Sequence, residues 1–230
     1  KGYSQISFEK GYIINDSNQK TECLIKNSDW IFNPSYIEYK LSEGSEPVTA
    51  DVKTIREFNI YNESKFVRKT VKVDISKEYV SNLSTNKYPE FVEQTLFLKV
   101  LIEGISNLYH YESKSMSRFF YNKNNSDQVE QLVYKSYYLV NNTVATNNQF
   151  KQQLWMDLKC KTIEMNTIER LEYNKSSLIN FFKKYYECTN TDFVNSEAIK
   201  EKGGKKDLFN LTIRPRINNS SATVQNLLVK

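Results

Sequence analysis

Glycine is scarce in this 230-residue chain, and where the six glycines fall matters more than their number. A phosphate-cradling P-loop needs two glycines five positions apart followed by Lys and Ser/Thr, and a dinucleotide fold needs G-x-G-x-x-G. Gly2, Gly11, Gly44, Gly104, Gly203 and Gly204 supply neither spacing. Both routes to nucleotide binding are excluded, and with four prolines so are collagen-like and low-complexity architectures.

Histidine is scarcer still. His110 stands alone within Leu108-Tyr109-His110-Tyr111, and no G-x-S-x-G turn marks a nucleophile. A strand histidine among tyrosines reads as packing or surface rather than catalysis. The three cysteines, Cys23, Cys160 and Cys188, contain no C-x-x-C pair. Together with His110 they make one conceivable zinc set, in a spacing unlike any zinc module. No apolar run approaches the ~18 residues of a membrane-spanning helix. No leader peptide is visible; a mature chain would begin after its cleavage site, so this does not argue for the cytoplasm.

Net positive charge is missing from most of the molecule. Seven of the 32 basic residues and two of the 27 acidic ones fall within 200–230, which leaves 25 of each in residues 1–199. A nucleic-acid binder concentrates basic charge on its folded body, so no nucleic-acid partner is expected.

What the chain does have is aromatic mass, 16 Tyr and 13 Phe, enough to fill a sizeable core. In the first half these residues alternate with polar ones. QISFEKGYII at 5–14 and KTECLIK at 20–26 flank the turn formers Asn15-Asp16-Ser17-Asn18, which predicts a hairpin. YIEYKL at 36–41, TIREFNIY at 54–61 and FVRKTVKVDI at 66–75 continue the pattern. In the last, Val71 and Val73 share one face while Lys72 and Asp74 share the other, which predicts a half-solvated strand. TLFLKVLIE at 95–103, LYHYE at 108–112, RFFY at 118–121 and QLVYKSYYLV at 131–140 then read as a meander.

Beyond Val140 the period changes. Phe150, Leu154 and Leu158 recur at i, i+4, i+8 on a helix from about Asn148 to Lys161. Thr167 is the predicted cap of a second short helix, and Asn174 of a third carrying Leu178, Phe181, Phe182 and Tyr185. The expected fold is therefore mostly β (α+β): an antiparallel body over 1–147, a helical cap over 148–192, then a basic linker and final strand, LFNLTIR, over 193–230. The cap should pack Phe150, Leu154, Leu158, Phe181 and Phe182 against the body.

Cys160 should end the first helix and Cys188 the third, which predicts a disulfide between them and a buried free thiol at Cys23. Counting alone leaves open a bridge from Cys23 to either partner, and three reduced thiols. Glu43, Glu46 and Asp51 crowd one loop but lack the alternating rhythm of a calcium site, and read as solvated carboxylates. Trp30 and Trp155 would serve a stacking platform; aromatics at strand period read as core. No catalytic, cofactor-binding or metal residue is assigned.

Several phrases belong together: EKGYIINDSNQKTECLIKNSDW at 9–30, FLKVLIEGISNLYHYE at 97–112, RFFY at 118–121, EQLVYKSYY at 130–138, QFKQQLW at 149–155, then Cys160 and YEC at 186–188. They resemble a family of exported proteins from flavobacteria and related Bacteroidota, often labelled "tRNA modification GTPase", a label at odds with the absent P-loop. In similar proteins an outer-membrane β-barrel follows a stretch like LFNLTIRPRINNSS at 208–221. The resemblance thus implies the soluble N-terminal part of an outer-membrane-associated protein, on the periplasmic or cell-surface side, with membrane association through a barrel that these residues do not include. Together with the missing catalytic motifs and the neutral body, it leads to the expectation of a non-enzymatic domain that binds or scaffolds an envelope protein or glycan. The competing expectation is a carboxylate-dependent hydrolase acting on an envelope or extracellular polymer, which would need a deep cleft with two facing carboxylates.

Overall fold

A computed structural model describes residues 7–196, apart from 125 and 142. The predicted linker at 200–206 and the strand at 208–214 lie outside the described residues. Thirteen strands and three helices follow in order: β1 (Ser7–Asn15), β2 (Lys20–Asn27), β3 (Tyr36–Lys40), β4 (Val48–Asp51), β5 (Ile55–Ile60), β6 (Ser64–Asp74), β7 (Phe91–Glu103), β8 (Leu108–Glu112), β9 (Ser117–Asn122), β10 (Val129–Gln131), β11 (Lys135–Tyr138), β12 (Val144–Asn147), α1 (Gln149–Asp157), α2 (Met165–Glu169), α3 (Lys175–Thr189) and β13 (Val194–Asn195). The fold is mostly antiparallel β with helices late in the chain, as expected.

One sheet runs β10-β9-β8-β7-β6-β5-β1-β2-β3-β4, with β13 paired to the far end of β7; β11 and β12 form a separate hairpin. The predicted β1–β2 hairpin and the β7–β8–β9 meander are both present. Asn18 and Asn62 take left-handed backbone (φ 59° and 62°) where the β1–β2 and β5–β6 connections reverse the chain, a role asparagine tolerates well.

The first five strands curl into a ring. β4 lies four places from β5 in the sheet, which would separate them by about 19 Å if the sheet were flat. Yet Asp51 and Ile55 bracket a three-residue turn, which reaches at most about 14 Å when fully extended. The turn is in fact tight: Thr54 N donates to Asp51 O at 3.1 Å, and Lys53 N to Asp51 Oδ1 at 2.9 Å. Arg68 on β6 ties the seam, donating to Val52 O at 2.9 Å and pairing with Asp16. Inside the ring Ile13, Cys23, Ile25, Ile37, Phe58 and Ile60 are buried against one another, joined by Phe66 and Phe97. Gly11 is needed for this closure, because a Cβ there would meet Asn59 O at 2.1 Å.

The second half curls the opposite way. Val67 and Leu98 immediately follow Phe66 and Phe97, so they point to the other face, and they pack in a second core with Val71, Val73, Val100, Tyr109 and Phe120. Here the predicted half-solvated strand needs correcting. Lys72 is exposed, but Asp74 is only 1% exposed: its Oδ1 accepts from Ser76 N and Glu90 N, and its own N–H donates to Gln131 Oε1 at 2.8 Å. This contact brings β6 against β10 and bends the sheet closed.

The helices cover the remaining outer face. Phe150, Leu154, Leu158, Phe181 and Phe182 are all buried at 2% exposure or less, against Leu101, Ile102, Leu108, Phe119 and Tyr121 of the sheet. A bulge between Val100 and Ile102 lets Leu101 and Ile102 both join this core. Each such side chain contributes about 2 kcal/mol of burial.

Three further expectations shift. The strand predicted over 131–140 breaks after Gln131, because the backbone at 132–134 turns to the helices: Val133 N donates to Gln153 Oε1, Phe150 N to Val133 O, and Tyr173 Oη to Leu132 O. The second helix begins at Met165, so Thr167 lies inside it and does not cap it. Cys160 lies three residues past the end of α1, while Cys188 is in the last turn of α3. They are nonetheless bonded, with Cα atoms 6.3 Å apart, and Cys23 is a buried free thiol. Asn174 caps α3 as predicted, its side chain accepting from Ser177 N at 2.8 Å.

Candidate functional site

The outward face of the sheet is covered by the ring's own curl at one end and by the helices at the other. Between them lies an uncovered groove of about 430 Å³. Register builds it: Phe66, Lys99, His110 and Phe119 occupy one row across β6, β7, β8 and β9, so their side chains line up on one face. Tyr173 and the start of α3 form one wall; the β2–β3 loop with Trp30 and Ile31 forms the other.

Asn33 fixes that loop. Its Nδ2 donates to Phe97 O (2.8 Å) and His110 O (3.0 Å), and its Oδ1 accepts from Glu112 N (3.0 Å), while its own N–H donates to Glu112 O (2.9 Å). The side-chain amide thus stands in for a strand along β8. Trp30 then packs edge-on against Phe58 and Phe66, and Ile31 is left 80% exposed at the rim. On the opposite wall the Tyr173 hydroxyl accepts from Phe119 N at 3.1 Å and donates to Leu132 O. Burial holds that phenol well above its ordinary pKa, so it is a fixed neutral donor.

At the groove's base His110 stacks on Phe119 at 4.5 Å. Its Nε2 lies 2.9 Å from Ser117 Oγ and 3.1 Å from Glu112 Oε2, and Ser117 Oγ donates to that same carboxylate at 2.7 Å. In a nucleophilic triad the serine and the carboxylate sit on different ring nitrogens, so that one orients and the other reacts. Here both meet Nε2, and the serine proton is already given to Glu112. The cluster lacks the arrangement of a nucleophilic triad and gives the groove polar groups at its base.

The other sequence candidates disperse. Glu43 and Glu46 are exposed, and Asp51 closes the β4–β5 turn. Trp155 lies on α1, packed against the helical core, and does not line the groove. The three cysteines and His110 do not come together, since Cys160 and Cys188 are bonded to each other and Cys23 is buried inside the ring. Among the described residues no group of three or more potential ligands gathers around a metal position, and no helix is long and apolar enough to cross a membrane. Asn33, Glu112, Ser117 and Tyr173 were not singled out from the sequence. Asn33 and Glu112 bond across 79 positions of chain, and no local motif announces the set.

No family model, curated protein or solved structure matches this chain.

Proposed function

We propose that this chain is a non-enzymatic cell-envelope domain that binds a protein or glycan partner through the groove between Trp30 and Tyr173. The carrying observation is the groove's construction: Phe66, His110 and Phe119 in one row with Lys99, Glu112 and Ser117 supplying polar groups beside them, Lys175 on one wall, and the exposed Ile31 on the other. An apolar centre with a polar edge is how recognition surfaces are made. Among the described residues Glu112 is the one carboxylate lining the groove, and it is engaged with Ser117. A hydrolase working by paired carboxylates needs two, flanking the scissile bond. The Cys160–Cys188 bridge supports export, because such bonds persist in oxidising compartments.

The test is titration of envelope oligosaccharides and envelope-protein ectodomains against the chain and against Ile31→Asp and Lys175→Glu, two changes at the groove rim that spare its core packing. Saturable binding by one class, weakened in both variants, supports the reading. Turnover in a glycosidase or peptidase panel, abolished by Glu112→Gln, would sink it.

A further inference from the structure

A second cavity of about 260 Å³ lies on the far side of Ser117 and Tyr173, and a buried arginine forms its floor. Arg118 is 1% exposed. Its inner edge is fixed by backbone: Nε donates to Asp74 O, Nη2 to Ser76 O and Nη1 to Ser117 O, each at 3.0 Å. Asp74 Oδ2 stands 3.7 Å from Nη2, too far for a hydrogen bond. What closes the guanidinium from outside is Glu78, a half-exposed side chain on a stretch with no regular structure, whose carboxylate pairs with Nη1.

The rest of the cavity is basic and under-used. Lys135 is 5% exposed and donates to Tyr88 O, and its ammonium carries three donors. Lys77 stands at the mouth. Ser76 lines the same cavity at 8% exposure, and its hydroxyl has no hydrogen-bond partner among the described residues. A buried hydroxyl without a partner costs on the order of 1–3 kcal/mol, so it marks a place where something polar belongs. Tyr134, stacked flat on Tyr173 at 4.7 Å, gives the cavity a ring-shaped wall.

The geometry points to a binding site for a small organic carboxylate, in which the ligand takes the place that Glu78 now occupies on Arg118, with Lys135 and Ser76 completing its contacts. A planar guanidinium held from behind by three carbonyls recognises a carboxylate best, and Glu78 demonstrates the fit from within the chain. Burial pulls the Arg118 pKa down while the charge of Asp74 opposes that pull, which is the environment of a cation that gains from a second anion. Glu78 thereby acts as a built-in competitor. This site goes beyond the groove reading and does not depend on it.

The experiment is calorimetric titration of the whole chain and of Glu78→Gln with methyl glucuronide and N-acetylalanine, each against its uncharged counterpart, methyl glucoside and N-acetylalaninamide. Glu78→Gln should bind the acids about tenfold more tightly if Glu78 holds the site about nine-tenths of the time. The neutral compounds should not bind. A preference for the glucuronide assigns an acidic sugar, and a preference for N-acetylalanine assigns a peptide end. Lys135→Met and Ser76→Ala should each weaken binding, with thermal melts verifying that both remain folded. The inference is overturned if neither acid binds Glu78→Gln, if the neutral compounds bind equally, or if both pocket variants bind as well as the parent.

Discussion

The hydroxyl of Tyr186 closes on both backbone groups of Ser106: it accepts from the Ser106 N–H at 2.9 Å and donates to the Ser106 carbonyl. One atom of α3 thus supplies what a neighbouring strand would supply to the tight β7–β8 connection. Gly104 makes room for it, since a Cβ there would stand 2.6 Å from that oxygen. Tyr186→Phe leaves two buried backbone groups unpaired and should destabilise the fold by about 2–4 kcal/mol. Gly104→Ala should cost about 1–3 kcal/mol through crowding. Urea titration followed by circular dichroism measures both, and a loss below about 0.5 kcal/mol in the tyrosine variant would contradict the account.

The Cys160–Cys188 bond closes a loop of 28 positions. In the chain-entropy model this constraint is worth about 3.6 kcal/mol. The double Cys→Ala variant should lose roughly that much, and reductant should lower the urea midpoint of the parent but leave the variant unchanged. An equal effect of reductant on both would show that the bond is not what holds α3 to the turn after α1.

Cys23 faces the ring interior, where burial, aided by the charge of Glu22, pushes its thiol up to about 11. The native protein should resist thiol reagents at pH 8 and react on unfolding. The linkage has a definite sign. Unfolded Cys ionises near 8.5–9 while the folded thiol stays protonated, so this contribution to stability is complete below pH ~8.5 and is lost as pH rises toward 11. The slope of stability between pH 8.5 and 11 should be shallower in Cys23→Ala than in the parent. Buried tyrosines such as Tyr121 add slope of the same sign to both proteins, and the comparison removes it.

The helix caps give a paired test. Asn174→Ala removes the bond to Ser177 N and should cost about 1 kcal/mol. Thr167→Ala should change stability by less than about 0.5 kcal/mol, because Thr167 lies within α2 and caps nothing. The reverse order of the two effects would restore the sequence-based placement of the second helix.

Local chemistry made much of the fold legible. Asn15 to Asn18 announced their turn, Phe150, Leu154 and Leu158 their helix face, and Asn174 its cap. Misreadings occurred where partners distant in sequence decide. Val48 to Asp51 are too few, after Pro47, to show alternation, and they become a strand by pairing with β3. The run 131–140 alternates well, yet Gln153 claims its backbone. Asp74 sits at a polar position in its strand and is buried because the backbone N–H groups of Ser76 and Glu90 both donate to its Oδ1. The groove was illegible for the same reason: Asn33 is an ordinary loop residue until β7 and β8 present their carbonyls to it.

The ring imposes an order of events on synthesis. Of the ring's strands β1 is made first, yet it ends up between β2 and β5, and its partner Ile60 lies 49 positions after Gly11. During translation β1 can pair with β2 on one side only, and its other edge, carrying Tyr12, Ile13 and Ile14, stays open until β5 has left the ribosome. An open apolar edge recruits strands from other chains. A fragment ending at Asp51 should therefore aggregate, whereas one extending through Asp74 should remain soluble longer. The three-residue turn that seals the ring also sets the length of nascent chain that needs protecting.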